Sequence, residues 1–273
     1  MGKNLIEHGK KQMITLKNKV AVVTGSGSGI GAGVAKKFFD LGSYLILIGK
    51  TDKNVKKTAK ELNDDSRIDY YACDVNDEEK LNEVKDVILK KRERIDILVT
   101  CAAAPGSSGK LEETSFTEWR SVLSTDLDGV FLSCKVFGSV MRKNGYGRIV
   151  NLTSFHNLAT YPERVVYNAA KSGVEGISRG LAVEWASFGI TVNTVAPGPI
   201  RTPRTSGFLA QAPDVESGML GRTPNVRLGE TEDVANLIAF LVSEEAQHIN
   251  GQQIVIDGGW TKSAWWGDHT KRK

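Results

Sequence analysis

The chain has 273 residues, of which 40% are hydrophobic and 25% are charged, and its formal net charge is +4. This length suits one α/β domain with a well-buried core, and no apolar run approaches the roughly 18 residues that a membrane span needs. Because residues 1–19 carry net +4 and residues 261–273 carry net +3, the region between them is net −3, which argues against a basic face for nucleic acid.

Apolar β-branched runs and stretches of helical periodicity alternate along the chain. The predicted strands are 20–24, 44–48, 68–73, 95–100, 148–152, 191–195 and 253–256. The predicted helices lie near 29–41, 52–63, 77–93, 115–143, 163–188 and 231–243. This alternation predicts an α/β fold, a Rossmann-type doubly wound parallel sheet of about seven strands with helices on both faces. We assign residues 1–18 to a basic N-terminal extension, 19–260 to a single domain and 261–273 to a C-terminal tail.

The first 19 residues and the cysteines bear on the cellular location of the protein. The first 19 residues are lysine-rich without an apolar segment, so they do not resemble a signal peptide. The chain has three cysteines, Cys73, Cys101 and Cys134, which cannot all be paired within one chain. They lack metal-ligand spacing, and the four histidines are scattered. We therefore expect free thiols in a reducing cytoplasm, no metal site, and neither a membrane nor a nucleic acid as partner.

A glycine-rich turn follows the first predicted strand and opens the first predicted helix. Gly25, Gly27, Gly29 and Gly31 occupy this turn. Glycines let the backbone turn tightly and approach a pyrophosphate, which then lies at the positive N-terminus of the helix. Because glycine-rich turns and linkers are common, the weight comes from the strand–turn–helix context, which predicts a dinucleotide site.

Tyr167 and Lys171 lie four residues apart in a predicted helix, and Ser154 precedes Tyr167 by thirteen residues. A spacing of four puts the two side chains on one face of the helix. The ammonium of Lys171 then stabilises the phenolate of Tyr167, which makes the phenol useful as an acid or base near neutral pH. Many amphipathic helices carry Tyr-x-x-x-Lys by chance, so this motif gains its weight from the glycine-rich turn.

Together the motifs resemble the short-chain dehydrogenase/reductase family, in particular its single-domain members of the 3-oxoacyl-acyl-carrier-protein reductase and sugar dehydrogenase type. The segment 24–31 matches the family pattern Thr-Gly-x-x-x-Gly-x-Gly. Ser154, Tyr167 and Lys171 match its catalytic serine, tyrosine and lysine. The resemblance runs from about residue 19 to residue 259, and it makes the predicted domain a dinucleotide-binding catalytic domain.

The resemblance implies an oxidoreductase that transfers a hydride between a nicotinamide and a carbonyl or secondary alcohol. Tyr167 would be the acid/base, Ser154 would bind the substrate oxygen, and Lys171 would support Tyr167 and hold the nicotinamide ribose. The residues implied for the cofactor are Gly25, Ser26, Ser28, Gly29, Ile30, Gly31, Lys50, Asp74, Val75, Ala102, Tyr167, Lys171, Pro197, Gly198, Ile200 and Thr202. The implied partners are a small-molecule carbonyl or alcohol substrate and further copies of the chain, as a homotetramer or dimer.

Two positions depart from the family pattern. Asp126 stands where the family usually has an asparagine that completes a proton relay, and we count it among the catalytic residues. An ionised Asp126 would oppose the field of Lys171, whereas a protonated Asp126 would donate a hydrogen bond in place of the amide, and the sequence leaves both open. Residues 100–103 read Thr-Cys-Ala-Ala where the family shows Asn-Asn-Ala-Gly, and we expect Thr100 to restore part of the lost bonding between strands.

The end of the second predicted strand bears on the choice of cofactor. An acidic residue there would bind the ribose hydroxyls and repel a 2′-phosphate. The matching position is the uncharged Gly49, which Lys50 and Thr51 follow. A cation and a hydroxyl suit a phosphate, so we predict NADP(H) in preference to NAD(H), with Lys50 as a ligand. Asp52 keeps the alternative open, because a register shift of a few positions would make it a ribose ligand.

The sequence leaves the substrate open between a sugar or polyol, a hydroxy or keto acid, and a 3-oxoacyl thioester. Candidate substrate side chains are His156, Asn157, Tyr161, Arg164, Arg201 and Arg204. Arginines beside a carbonyl site suit a carboxylate or phosphate. A basic surface that would suit acyl carrier protein comprises Arg201, Arg204, Arg222 and Arg227. Residues 203–224, with their Gly, Pro and Ser content, resemble the mobile substrate lid of the family.

Three tryptophans, Trp260, Trp265 and Trp266, follow the last predicted strand. Large aromatic side chains are costly to leave in water. We therefore predict that the C-terminal tail packs on a neighbouring subunit.

Two alternative functions remain from the sequence. A catalytically inactive NADP(H)-binding sensor or scaffold of the same fold is supported by Asp126 and by the changed segment 100–103, and it is opposed by the intact Ser154, Tyr167 and Lys171. An epimerase or dehydratase of the longer members fits poorly, because those proteins have another glycine spacing and a larger C-terminal substrate domain.

Overall fold

The computed structural model describes residues 14–104 and 109–272. Residues 1–13 of the predicted N-terminal extension and the last residue of the predicted tail lie outside the described residues. None of the helices in the described ranges is both long enough and apolar enough to cross a bilayer.

The described residues form nine strands and nine α-helices. The strands are β1 Val20–Thr24, β2 Tyr44–Gly49, β3 Ile68–Ala72, β4 Ile97–Thr100, β5 Gly147–Leu152, β6 Ile190–Pro197, β7 Ile200–Arg201, β8 Gly229–Glu230 and β9 Gln253–Ile256. The helices are α1 Gly29–Asp40, α2 Asp52–Leu62, α3 Glu78–Arg92, α4 Phe116–Leu123, α5 Gly129–Asn144, α6 Val165–Trp185, α7 Pro203–Leu209, α8 Pro213–Arg222 and α9 Thr231–Leu241.

Seven strands build one sheet in the order β3-β2-β1-β4-β5-β6-β9, and every pair in it is parallel. All five residues of β1 are buried, as a central strand covered on both faces requires. Ala21 and Val23 pack on the side of α1, α2 and α9, whereas Val20 and Val22 pack on the side of α3, α5 and α6. The predicted seven-stranded doubly wound sheet is therefore confirmed.

The region predicted as one helix over 115–143 is interrupted. A π-helical turn at Ser124–Asp128 separates α4 from α5. A π turn inserts an extra residue into the helix and often marks a functional position. Here it carries Asp126, which is buried.

The segment 203–224, expected to be a mobile lid, contains the two short helices α7 and α8. Pro203 and Pro213 stand in their first turns, where a missing N–H costs nothing and the fixed φ suits the helix. Thr202 caps α7 by accepting a hydrogen bond from the Thr205 N–H. The prolines of this segment therefore mark the starts of helices.

Candidate active site

The candidate site lies at the carboxyl ends of the central strands. Thr24 at the end of β1 is paired with Thr100 at the end of β4, which in turn is paired with Asn151 of β5. Because β1 leads to β2 on one side and lies beside β4 on the other, the strand order reverses at this point and a crevice opens above it. The Thr100 hydroxyl donates to Oδ1 of Asn151 over 2.8 Å, so the expected bond between neighbouring strands is present.

The glycine-rich turn fits tightly against its surroundings. Gly25 has φ +66°, and a Cβ there would lie 2.5 Å from the backbone N of Ala102. A Cβ on Gly31 would lie 2.3 Å from the carbonyl oxygen of Gly25. Side chains at these positions would force the turn away from β4 and from α1, so glycine is required for this path.

The N-terminus of α1 has the features of a phosphate site. Ser28 is its N-cap, yet its side chain makes no capping hydrogen bond, so the first N–H groups of α1 stay available. A Cβ on Gly29 would lie 3.6 Å from the side chain of Thr202, so this predicted cofactor residue lies next to the turn. The residues present therefore fit a dinucleotide pyrophosphate.

Other predicted cofactor residues have structural contacts of their own. The buried Ser26 hydroxyl donates to the carbonyl of Ile48 over 3.1 Å and shapes the turn. Val75 is buried, and its Cγ2 would lie 2.4 Å from a Cβ on Gly129. A Cβ on Gly198 would lie 2.6 Å from Cβ of Asp257. Their cofactor roles, and those of Ile30, Pro197 and Ile200, stay predictions.

The end of β2 places Lys50 beside the crevice. Gly49 is the last residue of β2 and is paired with Ala72 of β3. The exposed Lys50 ammonium lies 2.8 Å from the carboxylate of Asp74. This contact raises the pKa of Lys50. For Asp74, burial raises the carboxyl pKa, but the hydrogen bonds from Lys50 and Asn76, together with the charge of Lys50, outweigh burial, so the pKa is lowered.

Two further observations concern this strand end. Asp52 opens α2, so it follows the strand end by three residues. Asn54 was not predicted as a site residue, yet a Cβ on Gly27 would lie 2.9 Å from Cβ of Asn54. A plain asparagine in a helix gives no sequence signal of such proximity.

The predicted catalytic residues are brought together by α6 and the loop after β5. Nζ of Lys171 lies 5.8 Å from the ring centroid of Tyr167 and donates to the carbonyl of Leu152 over 3.4 Å. The buried Ser154 follows that strand, and its Oγ accepts from the His156 N–H over 3.3 Å. Nδ2 of Asn157 donates to the carbonyl of Lys171 over 3.1 Å, which fastens the loop to the helix.

Asp126 lies beside Lys171 at the floor of the site. Its Oδ1 accepts from the Ala104 N–H over 2.6 Å. Its Oδ2 is buried without a hydrogen-bond partner among the described residues and lies 3.6 Å from Nζ of Lys171. One oxygen accepts a backbone proton and the other faces an ammonium, so this geometry favours the ionised carboxylate of the two open alternatives.

An aromatic wall, formed by Phe155, His156, Tyr161 and Trp260, stands beside Tyr167. The His156 ring lies 4.4 Å from the rings of Phe155 and Tyr161 and 5.7 Å from that of Tyr167, measured between centroids. The Trp260 ring lies 5.7 Å from that of Phe155, so this tryptophan packs on its own chain. These contacts shape one side of the crevice.

The remaining tryptophans of the chain end behave differently from Trp260. Trp265 and Trp266 stack on each other with centroids 5.5 Å apart, and Trp266 is 90% exposed. Asp268, further along the tail, approaches α8, since its Oδ1 would lie 2.9 Å from a Cβ on Gly221. Packing of the tail on a neighbouring subunit stays a prediction, now centred on Trp266.

His156 makes the stability of the fold depend on pH. Burial, assisted by the charge of Arg164, lowers the pKa of His156 from 6.5 to about 4. As pH falls through this interval, the unfolded chain binds the proton before the folded one does, so stability is lost. We expect the free energy of unfolding to drop by about 2 kcal/mol between about pH 7 and about pH 5 from this group. Urea denaturation of wild type and His156→Phe at both pH values measures the loss of unfolding free energy in each protein. Equal losses in the two proteins would show that His156 is not the cause of this pH dependence.

The fold and the site define a nucleotide-dependent oxidoreductase, and comparison with known proteins gives its family. The family model described as "Enoyl-(Acyl carrier protein) reductase" matches residues 25–261. The chain belongs to the short-chain dehydrogenase/reductase family, whose relatives act on CH–OH groups.

Three relatives illustrate the range of the family around this chain. The cis-4-hydroxycyclohexanecarboxylate dehydrogenase of Sinomonas cyclohexanicum is 36% identical over 244 residues, 89% of this chain and 96% of the relative. The NAD-dependent glycerol dehydrogenase of Listeria innocua serovar 6a is 35% identical over 246 residues, 90% of this chain and 95% of the relative. The solved structure "ElxO with NADP Bound" has a TM-score of 0.84 and 33% identity, covering 90% of this chain and 99% of that one.

Proposed function

We propose that the protein is an NADP(H)-dependent oxidoreductase that interconverts a secondary alcohol and a carbonyl compound, with Tyr167 as the acid/base. The observation that carries this proposal is the arrangement of Tyr167, Lys171 and Asp126 near Ser154 at the carboxyl ends of the central strands. A buried lysine next to a tyrosine that stays partly exposed is an arrangement for proton transfer at that tyrosine.

The roles of the residues follow from their chemistry. When bound, NADP(H) supplies or accepts the hydride at the substrate carbon. In the direction of reduction, the Tyr167 hydroxyl gives its proton to the substrate oxygen while the Ser154 hydroxyl donates a hydrogen bond to that oxygen. The ammonium of Lys171 stabilises the phenolate that remains, and the carboxylate of Asp126 holds Lys171 in place.

The preference for NADP(H) rests on the end of β2. The relatives divide on this point, since one is named for NAD and another was solved with NADP. In this chain Lys50 offers a cation at the strand end, and Asp74 keeps that ammonium at the edge of the crevice. A 2′-phosphate would form a charge-assisted pair with Lys50 in exchange for the contact with Asp74.

Replacing Lys50 with Ala should weaken NADPH binding about tenfold and leave NADH binding unchanged, because only NADPH carries the phosphate. Energy transfer from protein tryptophans to the bound reduced nicotinamide measures both affinities. Lys53→Ala is the matched control, because Lys53 is an exposed lysine in the first turn of α2, and it should alter neither affinity. Equal affinities of wild type and Lys50→Ala for NADPH would refute the role of Lys50, and stronger binding of NADH by wild type would favour Asp52 as a ribose ligand.

Two arginines that flank the predicted lid argue for a small substrate over a carrier-bound one. Arg201 lies 2.8 Å from Glu216 and 3.6 Å from Glu230, and Arg227 lies 2.6 Å from Asp233. These pairs neutralise half of the basic surface that would suit acyl carrier protein. Two relatives are named as dehydrogenases of glycerol and of cis-4-hydroxycyclohexanecarboxylate. We propose that the substrate of this chain is a small alcohol of similar size.

We also propose a homo-oligomer in the cytoplasm. Phe116 at the start of α4 is 76% exposed, and Phe131 and Val165 on α5 and α6 are each 49% exposed. Apolar side chains on neighbouring helices suit contact with a second copy. The free cysteines, of which Cys73 and Cys134 are buried, support a reducing compartment.

Turnover of an alcohol panel tests the function. Glycerol, D-threitol, cis-4-hydroxycyclohexanecarboxylate and a 3-hydroxyacyl thioester would each be offered with NADP⁺ and with NAD⁺. We expect formation of reduced nicotinamide with at least one small alcohol and faster turnover with NADP⁺. Tight NADP⁺ binding without turnover of any member would favour the sensor or scaffold.

A further inference from the structure

We propose that Tyr161 and Arg164, together with His156, form a subsite for the carboxylate of the substrate, which makes the substrate a small hydroxy or keto acid. This inference rests on the proposed function and names the substrate class of that same site. The subsite lies at the start of α6, next to the tyrosine that would transfer the proton.

The three side chains line one path that leads to Tyr167. The His156 ring lies between two tyrosines, 4.4 Å from the Tyr161 ring and 5.7 Å from the Tyr167 ring. The guanidinium carbon of Arg164 lies 5.9 Å from the Tyr161 ring centroid. Arg164 is the N-cap of α6 and precedes Tyr167 by three residues.

The electrostatics show that these groups share one environment. The charge of Arg164 contributes to the lowered pKa of His156, after burial. Burial raises the pKa of Tyr161, opposed by Arg164 and reinforced by Tyr167. At neutral pH the subsite therefore holds one cation, one neutral imidazole and one protonated phenol that can donate a hydrogen bond.

Arg164 differs from the neighbouring arginines in its availability. Arg201 is paired with Glu216 of α8, and Arg227 is paired with Asp233 of α9. Arg164 is half-buried, and no carboxylate of the described residues lies within ion-pair distance of it. The hydroxyl of Tyr161 likewise makes no hydrogen bond to another described residue, whereas Nδ1 of His156 lies 3.4 Å from the Thr160 hydroxyl. Polar groups that are half-buried and unused inside the protein are the ones that a ligand satisfies.

The chemistry of these groups suits a carboxylate on an apolar body. A planar guanidinium pairs with the two oxygens of a carboxylate, and a phenol adds a further donor. The rings of Phe155 and Trp260 continue the same wall with apolar surface. A substrate would then place its hydroxyl at Tyr167, its carbon skeleton along the wall, and its carboxylate at Arg164.

Binding of a carboxylate and of its neutral amide to the protein saturated with NADP⁺ tests the subsite. Cyclohexanecarboxylate and cyclohexanecarboxamide have nearly the same shape, and calorimetry measures both affinities. We expect wild type to prefer the carboxylate, and Arg164→Gln to weaken carboxylate binding by at least about tenfold with amide binding unchanged. Arg164→Lys should restore part of the preference, because the charge returns without the two-pronged geometry.

Arg179→Gln is the matched control, since Arg179 is an exposed arginine of the same helix paired with Glu175. It should leave both affinities unchanged. Equal binding of the two probes by wild type, or an unchanged carboxylate affinity in Arg164→Gln, would overturn the subsite. If either result came with oxidation of neutral alcohols intact, the proposed function would stand and only the substrate class would fall. A wild-type protein that neither binds NADP⁺ nor oxidises any alcohol would overturn both.

Discussion

Replacing Tyr167 with Phe should lower kcat by about three orders of magnitude, with NADPH affinity changed by no more than about twofold. The substitution removes the hydroxyl that transfers the proton and keeps the ring that packs near His156. Steady-state rates at saturating substrate give kcat, and tryptophan energy transfer gives the affinity. A large loss of kcat without a loss of NADPH affinity would show that Tyr167 acts in the chemical step.

Tyr146→Phe is the matched control for this experiment. The Tyr146 hydroxyl bonds to Glu244 over 2.9 Å, away from the crevice, so its removal should leave kcat unchanged. A Tyr167→Phe protein that kept most of its activity would show that another group moves the proton. A variant that lost NADPH binding together with activity would show a structural role for Tyr167.

Breaking the buried pair of Lys171 and Asp126 from either side should destabilise the protein by about 3 kcal/mol, because each single change leaves an uncompensated charge. The two side chains are only 4% and 1% exposed. Lys171→Met leaves the carboxylate, and Asp126→Asn leaves the ammonium. The double variant removes both charges, so its loss of stability should be clearly smaller than the sum of the single losses.

Urea denaturation of the four proteins completes this double-mutant cycle. Additive losses would mean that Asp126 is protonated and that Lys171 is not its ionic partner. Activity supplies a second reading, since Asp126→Asn should lose most of kcat if the carboxylate holds Lys171 for catalysis. An unchanged pH–rate profile in Asp126→Asn would dismiss Asp126 from the catalytic residues while leaving its contribution to stability.

The sheet was predictable because its signals are local. Each central strand is a short β-branched run, and the turn after β1 combines glycines with a following helical pattern. The sequence did not predict the helices at 203–222, because the Gly, Pro and Ser content of this segment is typical of a loop, although proline also starts helices. The π turn around Asp126 was also missed, since one inserted residue leaves little trace in the periodicity.

The site was predictable only in part, because some of its contacts are local in sequence and others depend on tertiary packing. The spacing of Tyr167 and Lys171 fixes their common helix face, so their proximity follows from the helix itself. The partners of Arg201 and Arg227, by contrast, depend on tertiary packing, and the sequence offered both arginines as available anion ligands. The Ala104 N–H that binds Asp126 is a backbone group, which no residue type announces.

Transfer of deuterium from NADPH labelled at C4 of the nicotinamide tests the central claim most directly. The protein would be incubated with labelled NADPH and small ketones, including 4-oxocyclohexanecarboxylate, and the product alcohols analysed by mass spectrometry. We expect one deuterium on the carbinol carbon of at least one product, and none above background with Tyr167→Phe. Tight binding of NADPH with no labelled alcohol from any ketone would contradict the oxidoreductase account and favour a sensor of the cofactor.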